Sequence, residues 1–165
     1  MRTIDNINGL NKSEFLSIFG NVFEKTESVA LKVFELKPFK NSDDIVSKML
    51  KIYEEYDRDK ILQILNSHPE LAIEKKLTND SKLEQTSANL NECSEEEFEE
   101  FKKLNLEYKT KFGFPFIIAV KGKNKNEILV NFRERIQNDL NKEFLEAKNQ
   151  VKKIASFRLK DILSF

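Results

Sequence analysis

Apolar residues recur at helical spacing along most of this chain. Phe15, Ile18, Phe19, Val22 and Phe23 fall on one face of a first helix. Val29, Ala30, Val33 and Phe34 define a second, which stops before Pro38 because proline disfavours the helical region in the residue ahead of it. A third takes its cap from Asn41 or Ser42 and turns Ile45, Met49, Ile52, Tyr53 and Tyr56 inward. Ile61, Leu62 and Leu65 mark a fourth that ends before Pro69, and a shorter helix carries Ser81 to Leu90. Ser94-Glu95-Glu96-Glu97 spells a capping box and opens a helix whose apolar face is Phe98, Phe101, Leu104 and Tyr108. Two last helices fall at roughly 124–138 and 141–162, the first burying Ile128, Leu129, Phe132 and Ile136.

One stretch breaks the rhythm. Phe112-Gly113-Phe114-Pro115-Phe116-Ile117-Ile118-Ala119-Val120 is a continuous apolar run with Gly and Pro near its start. Pro115 lacks an N–H and biases Phe114 away from the α region, and β-branched residues follow. The run reads as an extended segment threading a helical domain. Its main-chain N–H and C=O groups have no helix to satisfy them, so once buried they need side chains, water or a polar ligand. The pattern therefore predicts an all-α fold: a single-domain bundle of about eight helices over residues 1–165, with one extended apolar segment near 113–120.

Composition narrows the function classes. The 28 basic and 28 acidic residues cancel, which removes the electrostatic reason to expect a nucleic acid or an anionic membrane as partner. Cys93 is the only cysteine, so neither an intrachain disulfide nor a Cys-rich zinc site is possible, in keeping with a reducing cytoplasm. No apolar run is long enough for a transmembrane helix. The first six residues carry no apolar signal core, and Leu163-Ser164-Phe165 is not a peroxisomal address. Glycine loops for phosphate, Gly-x-Ser-x-Gly elbows and His-Glu-x-x-His helices are all missing, and no metal site is expected.

Three features could carry chemistry. His68, the only histidine, sits in Ser67-His68-Pro69-Glu70-Leu71-Ala72 where a helix must end. It is placed either for proton transfer or simply as a surface residue at a helix C-terminus. Ser81, Glu84 and Gln85, at i, i+3 and i+4, share a helix face. That face could read a small polar heterocycle, or it is an ordinary solvated surface. Arg158 falls inside the apolar stripe of Val151, Ala155 and Ile162, flanked by Ile154 and Leu159. A charge there needs a structural ion pair, a bound anion, or room to snorkel.

Read in order, these motifs resemble the 2-oxo-4-hydroxy-4-carboxy-5-ureidoimidazoline (OHCU) decarboxylase family from near Leu10 to about Leu163. Gly20-Asn21-Val22-Phe23-Glu24 and Lys37-Pro38-Phe39 are similar to its N-terminal part. His68-Pro69-Glu70-Leu71-Ala72 is similar to its His-Pro-Asp/Glu-Leu-Ala, and Leu77-Thr78 with Ser81-Lys82-Leu83-Glu84-Gln85 to its Leu-Thr…Ser-x-x-Glu-Gln. Leu104-Asn105-Leu106-Glu107-Tyr108, the run from Phe112 to Ile118, Lys121-Gly122, Arg135-Ile136-Gln137-Asn138 and Ile154-Ala155-Ser156-Phe157-Arg158-Leu159 complete the series. Two departures stand out: a shorter segment between Ala72 and Leu77, and no Trp where many relatives carry Pro-Trp near Thr26-Glu27-Ser28-Val29.

The resemblance implies an all-helical homodimer that needs no metal or organic cofactor and converts OHCU to (S)-allantoin during urate degradation. It implies His68 as principal acid/base residue, Glu84 as its assistant or as holder of the ureido group, and Arg158 as binder of a carboxylate or ring oxygen. Ser81 and Gln85 would hydrogen-bond the substrate, and Pro69 would stand at the site beside His68. Main-chain groups of Phe116, Ile117, Ile118, Ala119 and Val120 would line it. Two alternatives remain: a related lyase with a shifted substrate, permitted by the shorter segment after Ala72, or a non-enzymatic helical interaction module. A decayed enzyme would have lost polar residues that this chain retains.

Overall fold

The structure is a computed structural model and describes residues 3–72 and 77–164. The segment between Ala72 and Leu77, expected to be shorter than in the family the sequence resembles, lies outside the described residues. Among those residues the regular elements are nine helices with no strand: α1 (Ile4–Gly9), α2 (Lys12–Phe19), α3 (Ser28–Phe34), α4 (Ser42–Glu54), α5 (Arg58–Ser67), α6 (Asn79–Ser87), α7 (Glu95–Phe112), α8 (Lys125–Arg135) and α9 (Leu140–Ile162). The expected all-α architecture is borne out. The element not foreseen is α1, a short helix closed by a reciprocal cap between Thr3 and Asn6. The first predicted helix is also shorter than its apolar face suggested. It ends at Phe19, so Val22 and Phe23 enter the core from the turn that follows.

The residues group into two compact units, Met1–Ser67 with Lys152–Phe165, and His68–Val151. In the first, α3 packs against both α2 and α4. Their interior is aromatic: Phe15 meets Phe19, Phe34 and Phe39, and Phe23 stacks on Tyr53 at 4.8 Å between centroids. Asn41 caps α4 as expected, its side chain accepting from the Asp44 N–H.

In the second unit α7 packs against α8. The Ser94–Glu97 capping box opens α7 as the sequence spelled it, and α7 closes at Gly113, whose φ of +81° suits a residue without Cβ. The chain then runs without helix or strand through residues 114–120, all of them buried. Tyr108 stands among Phe112, Phe114, Phe116 and Phe132, and the Phe116 and Phe132 rings stack at 3.8 Å. This aromatic packing holds the extended segment against α7 and α8.

Candidate functional site

The bonds that build the interior of the second unit join residues 5 to 35 positions apart in sequence, and every one of them involves a side chain. His68 follows the last residue of α5 and is only 8% exposed. The alternative of a surface histidine at a helix end is therefore set aside. The three residues after Pro69 are anchored by side-chain amides. Gln85 on α6 donates from Nε2 to the Glu70 carbonyl at 3.2 Å and accepts at Oε1 from the Ala72 N–H at 3.1 Å. Asn105 on α7 donates from Nδ2 to the Leu71 carbonyl at 3.0 Å. Ala72 itself is held at a φ of +52°, a left-handed conformation that alanine adopts at a cost.

The face of α6 is not a solvated one. Thr78 caps the helix, and Ser81 and Gln85 are buried with Glu84 half-buried, while Lys82 and Leu83 point outward. The expectation that the three polar residues share a face holds, and that face turns inward. Gln85 was expected to meet a ligand; its amide instead bonds the main chain on both ends. A primary amide keeps a second lone pair and a second N–H, so the two uses are chemically compatible.

The extended segment also has its main-chain bonds made by side chains, one of the outcomes expected for it. Arg135 on α8 donates from Nη1 to the Ile117 carbonyl at 2.7 Å and lies over the Phe116 ring at 4.3 Å. Gln150 on α9 accepts the Ala119 N–H at 2.9 Å. Arg135 is itself held by Glu143, fully buried, through Nε at 2.7 Å and an ion-pair contact from Nη2 at 2.6 Å. Tyr108 Oη at 2.7 Å and Asn138 Nδ2 at 3.0 Å donate to the same carboxylate. Burial, together with this carboxylate acceptor, pushes the Tyr108 phenol far above the usual range. Residues 116–120 are thus fixed from α7, α8 and α9 at once.

Arg158 belongs to the first unit. Its Nη2 donates to Glu24 at 2.8 Å and its Nη1 to the Asn21 carbonyl at 2.8 Å. Arg158 is 6% and Glu24 0% exposed, so the buried ion pair that the apolar stripe allowed for is present.

Sequence reasoning did not single out Asn105, Glu143, Gln150 or Glu24 as functional. A signal existed for three of them. Asn105 lies four residues after Phe101 in the α7 stripe, Glu143 four before Ala147, and Gln150 four before Ile154. Each is a polar residue at an apolar position, the same mark that drew attention to Arg158. Among the described residues no group of three or more His, Cys, Asp or Glu side chains could hold a metal ion, and no helix is long and apolar enough to cross a membrane.

Comparison with known proteins adds a family context. A family model described as OHCU decarboxylase matches residues 8–160. Over 162 residues the chain is 38% identical to the uric acid degradation bifunctional protein of Bacillus sp. (strain TB-90), covering 98% of this chain and 32% of that protein. It is 35% identical over 162 residues to the 2-oxo-4-hydroxy-4-carboxy-5-ureidoimidazoline decarboxylase of Haloferax volcanii, covering 98% and 96%. The crystal structure of (S)-allantoin synthase aligns with a TM-score of 0.78 at 25% identity, over 98% of this chain and 54% of that one. The chain spans about a third of the length of its two bifunctional Bacillus relatives.

Proposed function

Because this chain belongs to the OHCU decarboxylase family, we propose that it decarboxylates OHCU to (S)-allantoin, as a carboxy-lyase of urate degradation. The observation that carries the reading is the buried polar set of the second unit: a lone histidine next to a main-chain segment bonded to α6, whose Ser81 and Gln85 face inward.

The substrate bears a hydroxyl and a carboxylate on C4, beside an imine-type carbon. When the C4–carboxylate bond breaks, CO2 leaves and its electron pair passes through C4 to the neighbouring C=N. The heterocycle is thereby its own electron sink. The protein has to orient the carboxylate perpendicular to the ring, stabilise the developing charge with preorganised dipoles, take the 4-hydroxyl proton as C4 becomes a carbonyl, and deliver a proton to one face of the neighbouring ureido-bearing carbon. His68 handles the 4-hydroxyl proton or the proton delivered to the neighbouring ureido-bearing carbon, with Glu84 as its assistant and Ser81 and Gln85 as hydrogen-bonding partners of the heterocycle. Pro69 and main-chain groups of residues 116–120 line the site. The paired N–H groups of Arg158 suit a carboxylate or ring oxygen, and its buried contact with Glu24 supports a fixed orientation of the guanidinium. A homodimer working in the cytoplasm is part of the same proposal, supported by the family's usual assembly and the single cysteine.

The test uses OHCU generated in situ from urate and follows circular dichroism against the uncatalysed decay. Faster decay with accumulation of one allantoin enantiomer is expected, and His68→Asn should abolish the acceleration in a folded protein. Decay no faster than the blank would move the function to another substrate or to a non-enzymatic role. Near-normal turnover by His68→Asn would remove His68 from the mechanism.

A further inference from the structure

We propose that Gln85 and Asn105 are positioning residues for His68, forming an amide clamp on the segment that follows it. Pro69 stiffens the joint immediately after His68, since its ring locks φ and restricts the residue before it. Beyond Pro69, three successive residues offer main-chain groups that belong to no helix. Each is held by a buried amide: Glu70 and Ala72 by Gln85, and Leu71 by Asn105. Two different helices, α6 and α7, thereby fix one segment, so the register of His68 against both is set by these bonds.

Two details favour positioning over mere stability. Ala72 sits at a φ of +52°, and a non-glycine residue persists there only where its surroundings over-determine it. The Gln85 bond to the Ala72 N–H does so. Asn105 is 3% exposed, and its Oδ1 has no hydrogen-bond partner. The unsatisfied acceptor offsets part of what the bond to the Leu71 carbonyl contributes, so the amide adds little net stability at this position. Its donor function toward Leu71 is what the position retains. This assignment gives Gln85 a role that acts through His68, whether or not it also meets the substrate.

The rate consequence rests on the decarboxylase reading; the geometric one does not. His68 is the only histidine, so its imidazole ring proton signals in NMR are read without ambiguity. In substrate-free Gln85→Met and Asn105→Leu, which keep the volume and remove the amides, both signals should shift and broaden relative to the parent protein. On OHCU, kcat should fall by about 10- to 100-fold in both variants, with KM nearly unchanged in Asn105→Leu, the pattern of a misplaced acid/base group. Unchanged His68 signals with a raised KM in Gln85→Met would make Gln85 a direct substrate contact and overturn the clamp. Unchanged signals and kcat in folded Asn105→Leu would overturn the Asn105 half. Should Gln85→Met fail to fold, Gln85→Glu, which keeps an acceptor for the Ala72 N–H and loses the donor to Glu70, is read in the same way. If the parent protein does not accelerate OHCU decay, the decarboxylase reading falls while the NMR comparison still decides the clamp.

Discussion

Glu143 offers the sharpest test of how the extended segment is held. It is fully buried and accepts from Tyr108, Arg135 and Asn138, while Arg135 in turn holds the Ile117 carbonyl. Glu143→Gln keeps the shape but removes the charge, leaving a guanidinium that is 7% exposed as a whole residue with no counterion. Its new NH2 would also face a group that donates. Breaking one side of a buried pair costs about 3–5 kcal/mol, and the retained amide oxygen puts this change at the lower end, about 3 kcal/mol. For a 165-residue chain that corresponds to a fall in Tm of about 6–12 °C. Urea unfolding of both proteins measures the difference directly, provided the m-values agree. The double variant Arg135→Met with Glu143→Met should lose less than the sum of the single changes, because no charge is left stranded. A loss below about 1 kcal/mol in Glu143→Gln would refute the view that charge pairing anchors this network.

Three further outcomes follow from the geometry. Ser94→Ala removes the acceptor for the Glu97 N–H at the start of α7 and should lower stability by about 1 kcal/mol in thermal unfolding. Gly113→Ala should cost about 1–2 kcal/mol in the same assay, all of it backbone strain at φ +81°, because a Cβ there meets nothing within 4 Å. Burial pushes the Tyr53 phenol far above the usual range, and burial with the Glu143 bond does the same for Tyr108. The folded protein therefore holds these protons more tightly than the unfolded chain does, so stability should be intact below about pH 10 and decline above it. Tyrosinate absorbance rising at these residues while the far-ultraviolet dichroism stays native would contradict this.

Local chemistry made the helices legible. Asn41, the Ser94–Glu97 box and the prolines at 38 and 69 act within a turn of themselves, and the apolar stripes needed only the period of the helix. The end of α2 was less so, since Val22 and Phe23 continue the apolar spacing and only the packed interior distinguishes a helical position from a turn that reaches the same core. The face of α6 was left open between a solvated surface and a binding face, because Ser81, Glu84 and Gln85 look polar to any local rule and only packing shows that the face turns inward.

By itself the sequence determined the helical class, the break at residues 113–120 and the ordered motifs that place the chain in its family. Only the tertiary structure decided which polar groups are buried and what they hold. Asn105 reaches Leu71 across 34 positions, Gln150 reaches Ala119 across 31, and Arg158 reaches Asn21 across 137. A hydrogen bond depends on distance in space, and a polar side chain becomes an anchor only when folding removes the water that would otherwise compete for it.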